Sequence, residues 1–161
     1  MILLINICKE KLHYYEFVKP IEDVTKKIYE IKTINYKDLT KKDVNNSDKI
    51  IICGTSLKDN EFLNHLDKFQ WIKNYKKSIL GICGGAHIIG LIFGMKLKEK
   101  KKIGLKRIMI NNFLGINDER EVYHLHGFQV LPEIYQDENI YATLFHPEVR
   151  NKDIIVNFCN K

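Results

Sequence analysis

The sequence predicts an α/β protein with a mostly parallel central sheet, helices on both faces and a small antiparallel extension. Short, nearly continuous apolar runs at Ile2 to Cys8, Lys49 to Cys53 and Ile79 to Ile82 read as strands buried on both sides. Stretches with apolar residues at helical spacing separate them, which is the alternation of a parallel sheet. After Gly94 strand-like runs succeed one another without helices, which predicts antiparallel pairing. Residues 1–161 read as a single domain. A chain of this length buries roughly 68–70% of its unfolded surface.

The elements follow in order. After the first strand, Lys9 to Lys19 carries no clear pattern. Pro20 then opens a helix, since proline is tolerated in a first turn, and Ile21, Val24, Ile28 and Ile31 recur on one face. A strand is expected near Lys32 to Tyr36. A polar connection over Asp38 to Asp48 holds one helical turn at Thr40 to Val44. Glu61 to Tyr75 has the period of a helix, with Phe62, Leu66, Phe69 and Ile72 on one stripe and Trp71 at its rim. Lys96 to Lys98, Leu105 to Ile110, Glu121 to Leu125 and Phe128 to Leu131 read as short strands, with Asn111 to Arg120 as a polar loop. Ile140 to Phe145 is a further strand. Asp153 to Phe158 closes the chain as a short helix that packs Ile154, Ile155 and Phe158 on the sheet.

Composition narrows the function classes. The net charge of +6 comes mainly from lysine, five of them between Lys96 and Lys102. These read as solvated faces or a contact for an acidic protein. No basic segment interleaved with aromatics supports nucleic-acid binding. The four cysteines (Cys8, Cys53, Cys83, Cys159) form no CxxC pair, so neither a zinc ribbon nor a redox motif is indicated. Signal-peptide and membrane-span patterns are absent, and the expected compartment is the cytoplasm with free thiols.

The stretch Ser78 to Gly94, SILGICGGAHIIGLIFG, carries the chemistry. A strand ends at Cys83, glycines stand two residues to either side, and a helical run follows. That is the strand, tight turn and helix of a nucleophile elbow, with Cys in place of Ser. The turn demands small neighbours, and the helix N-terminus favours the thiolate. The competing reading is a buried cysteine with glycines that serve helix–strand packing. Near the C-terminus stands Phe145-His146-Pro147-Glu148. In extended backbone His146 and Glu148 share a face, giving a base oriented by a carboxylate. Tyr123-His124-Leu125-His126-Gly127-Phe128 concentrates two further histidines. They are candidate metal ligands, but no third ligand stands at a suggestive spacing.

GICGGAH and FHPEV together resemble the class I (triad) glutamine amidotransferases, whose pattern is G-[ILV]-C-x-G-x-Q and later FHPE. The chain departs at one position, with His87 where the family carries Gln. The resemblance implies a flavodoxin-like fold and Cys83, His146 and Glu148 as the triad. It implies backbone donors for an oxyanion at Gly54 or Thr55 and at Gly84. It further implies a substrate site at Gly85, His87 and the stretch His126, Gly127, Phe128, with no metal or organic cofactor. The implied activity is hydrolysis of L-glutamine to glutamate and ammonia through a Cys83 thioester, the ammonia passing to an ATP-dependent synthetase subunit. The ending, FHPEV and a short helix, resembles the small glutaminase subunits of two-subunit synthetases such as GMP synthase. Because His87 replaces Gln, a γ-glutamyl or peptide hydrolase and a non-catalytic regulatory relative stand as alternatives.

Overall fold

The computed structural model describes residues 1–161. Five strands run parallel: β1 (Ile2–Asn6), β2 (Ile31–Asn35), β3 (Lys49–Ile52), β4 (Ser78–Ile82) and β8 (Ile140–Thr143). A sixth, β7 (Ile134–Asp137), pairs antiparallel with β8 at one edge, giving the order β2-β1-β3-β4-β8-β7. Alternate residues of the central strands enter two cores. Ile2, Leu4, Ile51, Leu80 and Ile82 face the helices α2 (Lys19–Thr25) and α6 (Lys152–Asn160) through Ile21, Ile154, Ile155 and Phe158. Leu3, Ile5, Ile50, Ile52 and Ile79 face α3 (Lys41–Asn46), the segment Glu61–Asn74 and α4 (Gly84–Ile92). Helices therefore cover both faces of a mostly parallel sheet, as the apolar runs predict. No helix is long and apolar enough to cross a membrane.

Several expectations need correction. The unassigned stretch after β1 is helical: one α turn, α1 (Lys11–His13), runs through a wide π turn at Tyr14–Val18 into α2. That helix stops at Thr25, so Ile28 is exposed and Ile31 opens β2. Glu61–Asn74 winds as tight 3-10 turns with non-helical backbone at His65, rather than as one α-helix. Phe62, Phe69 and Ile72 are nevertheless buried as their spacing requires. The expected loop Asn111 to Arg120 lies instead in a long antiparallel hairpin, β5 (Lys98–Phe113) and β6 (Ile116–Gln129). Its two-residue turn has positive φ at both Leu114 (50°) and Gly115 (79°), the geometry that suits the twist of a hairpin. One face of this ribbon, with Ile110, Phe113, Ile116 and Val122, packs into the first core.

Close approach of α4 to the sheet depends on glycine. A Cβ on Gly85 would lie 2.3 Å from the Ile52 carbonyl of β3, and one on Gly81 would lie 2.8 Å from the Gly85 carbonyl. The neighbour in each case is backbone and cannot yield cheaply. Gly85→Ala should therefore cost about 2 kcal/mol or more, toward the upper end of overpacking penalties. A shift of the urea midpoint to lower concentration at unchanged m-value checks this, and an unchanged midpoint contradicts it.

Candidate active site

Three neighbouring strands, β3, β4 and β8, end on one edge of the sheet. Ligands bind at this carboxyl edge in open α/β folds. Gly54-Thr55 follows β3, Cys83 follows β4, and Leu144 to His146 follows β8. Cys83 has φ 48° and ψ −100°, a conformation that costs an L-residue on the order of 1–3 kcal/mol. It is over-determined by its neighbours. Its N–H donates to the Thr143 carbonyl at 2.8 Å, and its carbonyl accepts from the His87 N–H at 3.0 Å. The thiol is directed at the Leu125 carbonyl, 3.6 Å away, and is only 4% exposed.

His146 and Glu148 meet, though not through extended backbone. Residues Pro147–Arg150 form a short helix, α5, with His146 in β conformation at its N-cap and Pro147 in the first turn. Pro147 suits that position, and its fixed φ turns the chain so that Glu148 reaches back to the imidazole. His146 Nδ1–H donates to Glu148 Oε1 at 2.7 Å, and both side chains are fully buried. The other ring nitrogen, Nε2, has no hydrogen-bond partner. Burial alone would lower the affinity of His146 for a proton. Glu148, with a further contribution from Cys83, outweighs it and raises the pKa well above 6.5. Phe17 and Tyr123 pack their rings around His146, and the Tyr123 carbonyl accepts its backbone N–H.

Burial pushes Cys8 up to about 11 and Cys53 well above its usual value, and it also raises Cys159. None of these three ends a strand at a helix N-terminus.

The expected substrate residues separate into two groups. His87, His126, Gly127 and Phe128 line one narrow pocket with Cys83, Gly84, Thr55 and Leu125. Its free space is ≈ 10 Å³, about what one water needs. Gly85 points away from this pocket into the packing against Ile52. Gly54 sits behind the imidazole, where a Cβ would lie 2.7 Å from His146 Cε1. His87 is buried, and its Nε2–H donates to the Phe128 carbonyl at 3.0 Å, tying α4 to the end of β6. Burial lowers its pKa to about 4, so it is neutral and is not a protonation switch near pH 7. His124 and His126 bond ring to ring at 3.2 Å, and His124 Nε2 lies 3.5 Å from Glu133. Burial lowers both, His124 to about 4. No group of three or more His, Cys, Asp or Glu side chains is arranged to hold a metal.

Asp59 escaped the sequence reading. This buried carboxylate accepts from the Thr55 hydroxyl at 2.6 Å and from the Lys9 N–H at 2.8 Å, bracing the turn after β3. The only signal was its place four residues after Thr55 in a polar turn.

A model of the family described as glutamine amidotransferase class-I matches residues 18–155, and the chain belongs to that family. Among its relatives are the A subunits of glutamine-hydrolysing GMP synthases. One from Thermoplasma acidophilum is 27% identical over 150 residues, 75% of each chain. One from Methanosphaera stadtmanae is 33% identical over 115 residues, 54% of this chain and 62% of that one. The crystal structure of a candidate A subunit of GMP synthase from T. acidophilum shares the fold. Its TM-score is 0.81 at 22% identity, covering 99% of this chain and 92% of that one. A glutamine amidotransferase from Thermotoga maritima also shares it, with a TM-score of 0.64 at 15% identity, over 99% and 80% of the two chains.

The buried neutral histidines set an acid limit. A group whose pKa falls from 6.5 in the unfolded chain to about 4 in the fold stabilises fully above 6.5 and loses that contribution as pH drops toward 4. The melting temperature should fall over this window. His87→Gln and His124→Gln should each flatten the fall, and identical pH profiles for wild type and variants would contradict the assignment.

Proposed function

We propose that this chain hydrolyses the side-chain amide of L-glutamine to glutamate and ammonia, with Cys83, His146 and Glu148 as its triad. The observation that carries the reading is the buried His146–Glu148 pair, which leaves Nε2 unpartnered and has Cys83, held in a strained elbow, as a neighbour that raises the His146 pKa. His146 Nε2 takes the thiol proton, and Glu148 holds the resulting imidazolium at Nδ1. The thiolate attacks the amide carbonyl. Backbone N–H groups at Gly84 and at Gly54 or Thr55 receive the oxyanion, where rigid donors act without reorganisation. His146 returns its proton to the leaving nitrogen, ammonia departs, and a Cys83 thioester remains. Water, deprotonated by His146, then releases glutamate.

Gly127 and Phe128 hold the substrate from β6, and His126 completes that wall. His87 acts from the helix side. The family's Gln offers a flexible amide there, whereas His87 uses its ring N–H to fix the Phe128 carbonyl. It positions the wall of the acyl site rather than activating the thiol.

The chain acts as one amidotransferase domain beside an ATP-dependent synthetase subunit that consumes the ammonia. Relatives named as the A subunits of GMP synthases support the complementary GMP synthase subunit in that role. The sequence holds no GxxxxGK[ST] phosphate loop of its own.

With the synthetase subunit present, His146→Ala should lower ammonia release from L-glutamine by at least about 10³. Glu148→Ala should lower it less, because Glu148 orients the base instead of moving the proton. Circular dichroism reports on folding. Near-wild-type turnover in either variant would remove the pair from the mechanism. Amine release from a γ-glutamyl peptide without ammonia from glutamine would replace the reading with a γ-glutamyl hydrolase.

A further inference from the structure

The pocket at Cys83 holds one carboxylate that the proposed chemistry does not use. Asp59 is the sole Asp, Glu, Lys or Arg among the residues that line it. Asp59 is only 7% exposed, and its two oxygens are used unequally. Oδ2 accepts from the Lys9 N–H at 2.8 Å and from the Thr55 hydroxyl at 2.6 Å. His13 Nδ1 stands 3.9 Å from that same oxygen and 3.3 Å from Ser56 Oγ. Oδ1 is buried and has no hydrogen-bond partner. A buried carboxylate oxygen without a donor is costly, so a ligand that brings one is favoured.

Asp59 also stands where this pocket meets a second, adjoining cleft of ≈ 320 Å³, and Ser56 and Asn60 are shared by the two in the same way. The cleft carries both signs of charge, Lys9 and Lys58 with Glu10 and Glu61, and so selects no ligand by itself. The pocket is more selective. Cys83 fixes where a carbonyl under attack must lie, and the lone carboxylate asks for a cation. A molecule with a carboxamide at one end and an ammonium group a short alkyl chain away answers both demands, and L-glutamine is such a molecule.

We propose that Asp59 binds the α-ammonium group of L-glutamine through Oδ1, while Oδ2 keeps the turn after β3 in place. This deepens the function proposed above and rests on it. Asp59 sets specificity, separating a carboxamide carried on an amino acid from one carried on a plain acid. A hydrogen bond between two charged groups belongs to the stronger class, and a site built around a polar group rejects the analogue that lacks it. No bond changes at the ammonium during the reaction. The contact therefore holds substrate and transition state alike and belongs in KM rather than kcat.

The test compares L-glutamine with glutaramate, the same molecule without its α-amino group, by ammonia release from the full chain with its synthetase subunit present. The wild-type chain should prefer L-glutamine at least about tenfold in kcat/KM. Asp59→Asn keeps an oxygen for Thr55 and Lys9 and removes the charge. It should raise KM for L-glutamine at least about tenfold with kcat near wild type. It should leave both constants for glutaramate unchanged, so that the preference collapses. Circular dichroism reports on folding. Should Asp59→Asn not fold, Asp59→Glu moves the charge by one methylene and should narrow the same ratio. A role confined to bracing the turn would impair both substrates alike, and that result overturns the proposal. Full preference for L-glutamine in a folded variant overturns it too, as does a wild-type chain that treats the two amides equally. Ammonia from neither amide would instead overturn the glutamine reading, and this assignment with it.

Discussion

The junction between β4 and α4 is the constraint on which the site depends. Cys83 must leave the strand in a backbone conformation that side chains normally avoid, and the helix must then run close beneath the sheet. Gly81 and Gly85 permit that approach, because any Cβ there would strike backbone. The Thr143 carbonyl holds the Cys83 N–H, and the first helical hydrogen bond holds its carbonyl. Strain of this kind persists only where the surroundings leave no alternative. Here the surroundings are the two cores on either side of the sheet. Packing energy spread over dozens of apolar side chains thus maintains one unfavourable φ angle and the direction of one sulfur.

The second half of the site is electrostatic. A histidine taken out of water would normally lose its affinity for a proton. His146 regains it because a carboxylate buried with it bonds Nδ1, with a further contribution from Cys83. Such a pair is worth little as a source of stability, since desolvation consumes much of its attraction. In the proposed mechanism its value lies in fixing which nitrogen carries the proton and which faces the thiol. Three other buried histidines behave oppositely. His87, His124 and His126 have no carboxylate in direct hydrogen-bond contact, burial dominates, and they stay neutral. One residue type is therefore held protonated in one place and neutral in others, according to its neighbours.

How much of this was legible depended on whether the signal was local. The elbow was, since Gly81, Cys83 and Gly85 state a steric requirement within five residues. The partnership of His146 with Glu148 was legible, but its conformation was not. A single turn of helix started by Pro147 replaces the extended backbone, and two-residue spacing alone does not separate them. The antiparallel extension was legible, but its tip was misread because a ribbon with one face in water needs few apolar residues. Asn111 to Arg120 has the composition of a loop, and only pairing across the turn at Leu114-Gly115 makes it strand. The edge strand Ile134–Asp137 escaped notice for the same reason. The stripe over Glu61–Asn74 named Phe62, Phe69 and Ile72 correctly as buried but not the winding, because Phe69 and Ile72, three apart, share a face in either helix type and Phe62 lies beyond the break at His65. The contacts of Leu125 and Phe128 with the site run through their carbonyls, which no side-chain pattern reports.

Every chemical step proposed for this chain requires Cys83 to act as the nucleophile toward glutamine. The most direct test mixes the chain and its synthetase partner with L-glutamine, quenches with acid during turnover, and maps the chain by mass spectrometry. The predicted result is one γ-glutamyl group in thioester linkage on the peptide that carries Cys83, with Cys8, Cys53 and Cys159 unmodified. Ammonia release with Cys83 unmodified throughout, or an acyl group on another cysteine, would contradict it.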